Sequence, residues 1–431
     1  MKIFPLVVTG LFVLLAIGGF ILFATFSAKG SSSSIGTVVI WGSVPPASMN
    51  ALLEEIKKTT DIYNKVSYVQ VPDAELSQKL VEAIASGSGP DLIILPEKDL
   101  ISESTKLELI PYATISRRDF QDTFIQAGES FLAGNGSFGV PFSVDPLVMY
   151  WNRSLFADAG IAQPPTYWDE VADIAPRLTK ATQNGTLQQS AVALGTWQNV
   201  THAKEIFLTL LSQLGNPVIT PNAQGGLSVT ILDKPSAATV SPAESALRFY
   251  TEFADPTQSV YSWNSAQQPS HDAFTAGTLA IYFGYASELA QIRAANPNLN
   301  FDVALMPRIR GGGQGSYAAV SAFSIPRGSQ NPSGAIAVAK AMTSASAQAV
   351  FANNANLPPI RRDTSPGKAS DPYIVVFRNA SLTAFAFLDP NPSATDVIFE
   401  HAVEAVTSGR LEVSAAVTTA AAELSALLGV Q

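Results

Sequence analysis

The sequence predicts an α/β protein built from two lobes. Three observations point there. The chain has 431 residues, long enough for two or three domains or for one protein made of two lobes. Hydrophobic residues make up 47% and charged residues 14%, so a large core forms and global disorder is excluded. After residue 36, short apolar runs alternate with stretches of helical spacing, the pattern that builds parallel sheets through crossovers.

The elements follow in chain order. Ile3 to Phe26 is an uncharged run bracketed by Lys2 and Lys29, long enough to span a bilayer, which needs about 20 apolar residues. Residues 1–29 are therefore expected to anchor the chain in a membrane, a cleaved signal segment being the alternative. GSSSSIG (30–36) is expected to be a flexible tether. TVVIW (37–41) is a strand, and SMNALLEEIKKTT (48–60) places Met49, Leu52, Leu53 and Ile56 on one helical face. VSYVQV (66–71) is a second strand. Asp73 is expected to cap a helix carrying Leu76, Leu80 and Ile84, which Gly87 ends. DLIILP (91–96) is a continuous apolar run of the kind buried on both faces. Trp41-Gly42-Ser43 and Pro96-Glu97 fall at the carboxyl ends of these strands, where open α/β sheets bind ligands.

Beyond the midpoint, residues 172–182, 204–214 and 243–254 have helical spacing, while LAIYFGY (279–285), FDVALMP (301–307) and SAFSIP (321–326) are strands. Residues 335–353 and 413–428 are alanine-rich helices, and GGGQG (311–315) is a solvated turn. No repeat of fixed period occurs, which argues against a solenoid.

Composition also limits the chemistry. A net charge of −9, with no basic cluster longer than two residues after the N-terminus, argues against a nucleic-acid partner. The absence of cysteine removes disulfides, thiolate metal sites, cysteine nucleophiles and lipid attachment through a thiol. His202, His271 and His401 are far apart and lack the i,i+4 pairing of a zinc helix, so no metal is expected. Neither a G-x-S-x-G elbow nor a phosphate-cradling loop is present, so no catalytic residue and no cofactor are assigned. A carboxylate pair for glycoside hydrolysis stays open, because its separation is a three-dimensional fact.

Several stretches, taken in order, resemble the extracellular solute-binding proteins of ABC importers, in particular the maltose and oligosaccharide-binding type. SGSGPDLIILP (86–96) is similar to that family's turn before a buried strand. Gly139-Val140-Pro141 resembles its entry to a crossing strand, followed by Tyr150-Trp151-Asn152 in place of its Tyr-x-Asn. Leu155-Phe156, Ala159-Gly160-Ile161, Pro164-Pro165 and Trp168-Asp169-Glu170 extend the match. Phe274, Gly277 and the strand to Gly284 resemble its F-x-x-G-x-x-A-M segment, and LPPIRRD (357–363) its proline-rich segment. Three departures stand: no lipid-attachment cysteine, Thr166-Tyr167 before the tryptophan where the family has Lys-Thr, and a carboxyl-terminal third alike only in texture.

The resemblance implies a two-lobed periplasmic-binding-protein fold of type II, with parallel-sheet lobes and a hinge. It places the first lobe at 35–143 and 308–360 and the second at 144–307 and 361–431. It implies a non-enzymatic, extracytoplasmic, monomeric protein that captures a small solute, foremost a sugar, and delivers it to ABC permease subunits. A non-sugar solute such as a peptide, polyamine or phosphate ester is the alternative, as is a secreted carbohydrate-active enzyme. Asp145 would stand at the junction of the lobes, a solvated strand-end aspartate being the plainer reading. Trp41, Trp197 and Tyr285 would stack on a sugar's apolar face unless they belong to the core, whereas Trp168 is a packing residue. With the strand ends, the ligand-binding candidates are Trp41, Ser43, Glu97, Asp145, Trp197, Gly284 and Tyr285.

Overall fold

The computed structural model describes residues 35–222, 226–234, 240–365 and 371–429. The apolar run Ile3–Phe26 and residues 30–34 of the expected tether lie outside them. Among the described residues no single helix is long and apolar enough to cross a membrane.

Three parallel strands open the first half of the molecule. Val38–Gly42 lies between Val66–Gln70 and Leu92–Pro96, with Ile40 opposite Leu92 and Trp41 opposite Ile93. Leu92, Ile93, Ile94 and Leu95 are all buried, as an apolar run covered on both faces must be. The Pro-Asp turn before them has a physical role. Asp91 Oδ2 accepts the Val39 N–H at 3.0 Å, and Oδ1 accepts Ser329 Oγ at 3.0 Å and the Asn331 N–H at 3.1 Å. One buried carboxylate thus ties two segments of the chain to the sheet. Asn331 in turn donates from Nδ2 to the Ile35 carbonyl at 2.5 Å, so the chain is already docked where the described residues begin.

Helices cover these strands. Pro46–Thr59 buries Met49, Leu52, Leu53 and Ile56, the face read from the sequence. Asp73–Ser86 ends at Gly87, whose φ of 67° is the left-handed conformation that favours glycine. Asp73 does not cap that helix. Pro72 holds the cap position and Asp73 begins the first turn, because the preceding proline supplies the extended backbone the cap requires.

The strand Val140–Asn152 runs through both halves. Its first part pairs antiparallel with Ala318–Pro326, Asp145 lying opposite Ala319. Its second part pairs with Leu279–Tyr285, Leu147 lying opposite Tyr285. Val140, Phe142 and Val144 belong to one hydrophobic core, while Leu147 to Trp151 belong to another. Gly139 is required where the crossing begins, since a Cβ there would lie 2.7 Å from Ser324 Oγ and 2.9 Å from the Phe323 carbonyl oxygen.

The chain returns at Tyr317, which packs in the second core, and Ala318, which packs in the first. A third passage follows the same divide. Ala384, Ala386 and Leu388 pack on the first core, Phe385 and Phe387 on the second. An extended segment alternates its side chains, so this one serves both cores at once. Ala318 N–H donates to the Phe385 carbonyl at 2.9 Å and holds two of the passages together.

Three expectations are corrected. The sheet is mixed: Ala318–Pro326 runs antiparallel to Leu92–Pro96 and to Val140–Asn152, Val140–Asn152 runs antiparallel to Leu279–Tyr285, and Lys180–Ala181 runs antiparallel to Leu187–Val192. The alanine-rich stretch 335–353 is two helices, Pro332–Met342 and Ala345–Ala355, bent by 67°. Ser344 starts the second by accepting the Ala347 N–H. The helix expected at 172–182 spans Trp168–Leu178, and residues 180–181 form a short strand. Trp168 is buried there and donates from Nε1 to Gln213 Oε1 at 2.9 Å, the packing role expected of it.

Candidate functional site

A cavity of about 500 Å³ lies between the two cores. The first core's side contributes Asp73, Glu97 and Val320, and the second contributes Lys204, Glu205, Tyr285, Tyr317, Phe387 and Asp396. Asp73 lines it from the first turn of its helix.

Glu97 is the buried acid of this cavity, with 1% of its surface exposed. It follows the apolar strand directly. Tyr317 Oη donates to its Oε1 at 2.5 Å, and the Val320 N–H donates to its Oε2 at 2.8 Å. Burial lifts the carboxyl to about 7, against the opposing pull of those two bonds. Tyr317 packs with the second core, so the short bond joins opposite sides of the cavity.

Two further carboxylates are held from behind. Asp396 Oδ1 accepts the Trp197 indole N–H at 3.1 Å. Asp389 Oδ2 accepts from Lys204 Nζ at 2.5 Å, and that ammonium also donates to Thr395 Oγ1 at 2.6 Å and the Pro392 carbonyl at 3.0 Å. Lys204 is thereby neutralised within its own wall. Asn391 caps the helix Pro392–Thr407, which carries Asp396.

Beside the cavity, a polar cluster braces the crossing. Glu288 Oε1 pairs with His202 Nε2 at 2.6 Å and accepts the Tyr285 N–H at 2.7 Å, and Glu288 Oε2 accepts from Tyr282 Oη at 2.5 Å. Burial would lower His202 and raise Glu288, but their mutual hydrogen bond and charge prevail, so His202 is raised and Glu288 lowered. Asp145 Oδ1 accepts the Ser287 N–H at 3.1 Å. Burial, reinforced by the charge of Glu288, lifts Asp145 to about 6 despite its hydrogen bonds to Ser287. Gly284 makes the cluster fit. A Cβ there would lie 2.5 Å from the Tyr282 ring and 3.0 Å from Glu288 Oε2.

The seven sequence candidates therefore separate. Glu97 and Tyr285 line the cavity, and the other five are not among its lining residues. Asp145 and Gly284 belong to the bracing cluster. Trp41 is partly buried against the first core, and the Ser43 carbonyl accepts from Gln70 Nε2 at 3.3 Å. Trp197 is 5% exposed, packs within the second core, and donates to the cavity residue Asp396.

Sequence reasoning passed over Asp73, Lys204 and Glu205 as ligand contacts, though it placed them in helices, and over Tyr317, Phe387, Asp389 and Asp396 altogether. One signal was available for the last of these. Asp389-Pro390-Asn391-Pro392 carries a cap residue followed by proline at the first helical position, a readable helix start. Among the described residues no group of three His, Asp or Glu is placed to hold a metal ion.

Comparison with known proteins agrees with this architecture. The family described as bacterial extracellular solute-binding protein matches residues 42–349. A protein of Brucella abortus (strain 2308) named as a binding protein is 24% identical, over 93% of this chain and 95% of its own. The GacH receptor of Streptomyces glaucescens, solved unliganded and with acarbose, superposes with a TM-score of 0.67 at 22% identity, covering 91% of this chain and 98% of that one. The cyclic alpha-maltosyl-1,6-maltose binding protein from Arthrobacter globiformis gives a TM-score of 0.73 at 18% identity, covering 91% and 98%. These likenesses show a shared two-lobed fold.

Proposed function

We propose that this chain, which belongs to the family of bacterial extracellular solute-binding proteins, captures a sugar or oligosaccharide between its lobes and delivers it to an ABC permease. The observation that carries the reading is the composition of the cavity wall. Aromatic rings of Tyr285, Tyr317 and Phe387 stand beside the carboxylates of Glu97, Glu205 and Asp396, drawn from both sides. Rings pack on the apolar face of a pyranose, and carboxylates accept its hydroxyl hydrogens. The solved relatives named with acarbose and a cyclic maltosaccharide support a saccharide ligand. Micromolar affinity needs about −8 kcal/mol, within reach of such a set.

In this reading the lobes meet at the three passages near 145–147, 316–318 and 384–388, and ligand favours the closed state because it touches both. The topology supports a type II arrangement, in which the cores change near 144–147, 317–318 and 384–388, the first beside the limit at 143–144 and the others beyond the limits at 307–308 and 360–361 expected from the resemblance. Glu97 and Tyr285 contact the ligand. Trp41 and Ser43 border the cleft from the first lobe, Asp145 and Gly284 set the crossing, and Trp197 acts by holding Asp396. The protein works as a monomer, binds without turnover, and is anchored to the cell membrane, facing the extracytoplasmic side, by the apolar run Ile3–Phe26.

A thermal-shift panel of saccharides, peptides and polyamines tests the reading, since a ligand of the native state stabilises it by RT ln(1 + [L]/Kd). A saccharide should raise the midpoint, bind one to one in titration and be recovered unchanged. Stabilisation only by peptides or polyamines, or conversion of the saccharide, would overturn it.

A further inference from the structure

We propose that Glu97 and Tyr317 are a specificity-determining pair, in which the direction of one hydrogen bond decides whether the cleft offers the ligand a donor or an acceptor. The inference rests on the reading of this cavity as the ligand cleft. Both residues line it, both are nearly buried, and their oxygens are 2.5 Å apart.

The geometry leaves two arrangements. With Glu97 ionised, Tyr317 donates to Oε1, and the phenol oxygen presents lone pairs to the cavity. With Glu97 protonated, the Val320 N–H at 2.8 Å keeps Oε2 as an acceptor, so the acid proton resides on Oε1. The carboxyl then donates to Tyr317 Oη, and the phenol's own hydrogen turns away from Glu97 toward the cavity. One proton enters from solvent and no covalent bond to carbon or oxygen other than that O–H forms or breaks. A sugar hydroxyl can be donor or acceptor, but one held elsewhere in a fixed sense meets only one of the two arrangements.

The surroundings favour exchange in the neutral range. Burial places the Glu97 carboxyl at about 7, and Lys98, next in the chain, opposes that rise. From the other elements, Tyr285 ends its strand beside the pair, Glu205 faces it from the helix Ala203–Gln213, and Asp73 lines the same cavity from the helix Asp73–Ser86.

The test is a carbon-13 titration of the full-length protein carrying carboxyl-labelled glutamate. One glutamate should titrate near pH 7, vanish in Glu97→Gln, and move to higher pH in Tyr317→Phe, which removes a bond to the charged form. Titration of Glu97 in the ordinary carboxylate range, or a midpoint unmoved by Tyr317→Phe, overturns the pair. In parallel, maltotetraose affinity is measured at pH 6 and pH 8. A change of roughly 3- to 10-fold is expected for the native protein and none for either variant. Binding with equal affinity at both pH values in the native protein also overturns it. Failure of maltotetraose to bind at all counts against the saccharide reading, while the carbon-13 titration still decides the pair.

Discussion

The indole N–H of Trp197 donates to Asp396 Oδ1 at 3.1 Å, so a ring in the second core positions a carboxylate on the cavity wall. The ring itself packs against Phe207, Tyr250 and Phe399 with centroids 6.2–6.4 Å away. Replacing it thus has two separable consequences. Trp197→Phe keeps most of the packing and removes the donor. It should cost about 1–2 kcal/mol of stability and weaken saccharide binding. Trp197→Ala should cost about 3–5 kcal/mol through the cavity it leaves. Urea unfolding and ligand titration on both variants check this, and equal binding by Trp197→Phe and the native protein would remove Asp396 from the site.

The Lys204–Asp389 pair is nearly buried, with side-chain exposures of 11% and 4%. Removing one partner of such a pair strands the other, which costs about 3–5 kcal/mol. Lys204→Ala and Asp389→Ala should each lose that much in chemical denaturation. The double variant should lose less than the sum, as contacting partners do.

Gly284→Ala and Gly139→Ala are expected to destabilise by about 1–3 kcal/mol each, because the added Cβ meets neighbours at 2.5 Å and 2.7 Å. Their effects differ in kind. Gly284→Ala pushes on Tyr282 and Glu288, so it should also lower the raised His202 titration midpoint, which a proton NMR titration reads directly. Gly139→Ala lies far along the crossing and should leave that midpoint in place.

The pH dependence of stability has a definite sign. Glu97 and Asp145 are raised in the folded protein to about 7 and about 6, so the folded state holds protons that the unfolded chain has released. Their contribution is complete below the unfolded carboxylate value and is lost as pH rises through 6 and 7. His202, also raised, acts in the same direction at higher pH. Glu288, lowered, contributes above the ordinary carboxylate value and loses its part only in more acidic solution. The thermal midpoint should therefore fall from pH 5 to pH 8. Glu97→Gln should flatten that fall by removing on the order of 3 kcal/mol of the pH-dependent change in unfolding free energy, at about 1.36 kcal/mol per pH unit. A midpoint rising over this range would contradict the assignment.

Much of the fold was legible because it is written in local periodicity. The strand at 279–285, the helix at 413–428, the Gly87 stop and the inward Trp168 each depend on residues within a few positions of one another. Asp145 at a crossing came instead from the family resemblance of Gly139-Val140-Pro141, and the structure supplies a reason for the glycine, since a Cβ there would meet the neighbouring strand. The bend at Ser344 was not legible, because an alanine-rich helix and two shorter ones share the same spacing.

The sequence by itself determined the α/β alternation, the absence of cysteine chemistry, and which helical faces are apolar. Only the tertiary structure decided the cavity. Its wall gathers Glu97, Lys204, Tyr285, Tyr317 and Asp396 from five separate stretches, and no local pattern distinguishes a helix position facing a core from one facing a cleft. Trp197 and Asp396 make the point together. Trp197 lies in a loop and Asp396 on a helix, and the hydrogen bond between them spans 199 residues of chain, so which of the two meets the cavity depends on how the lobe packs.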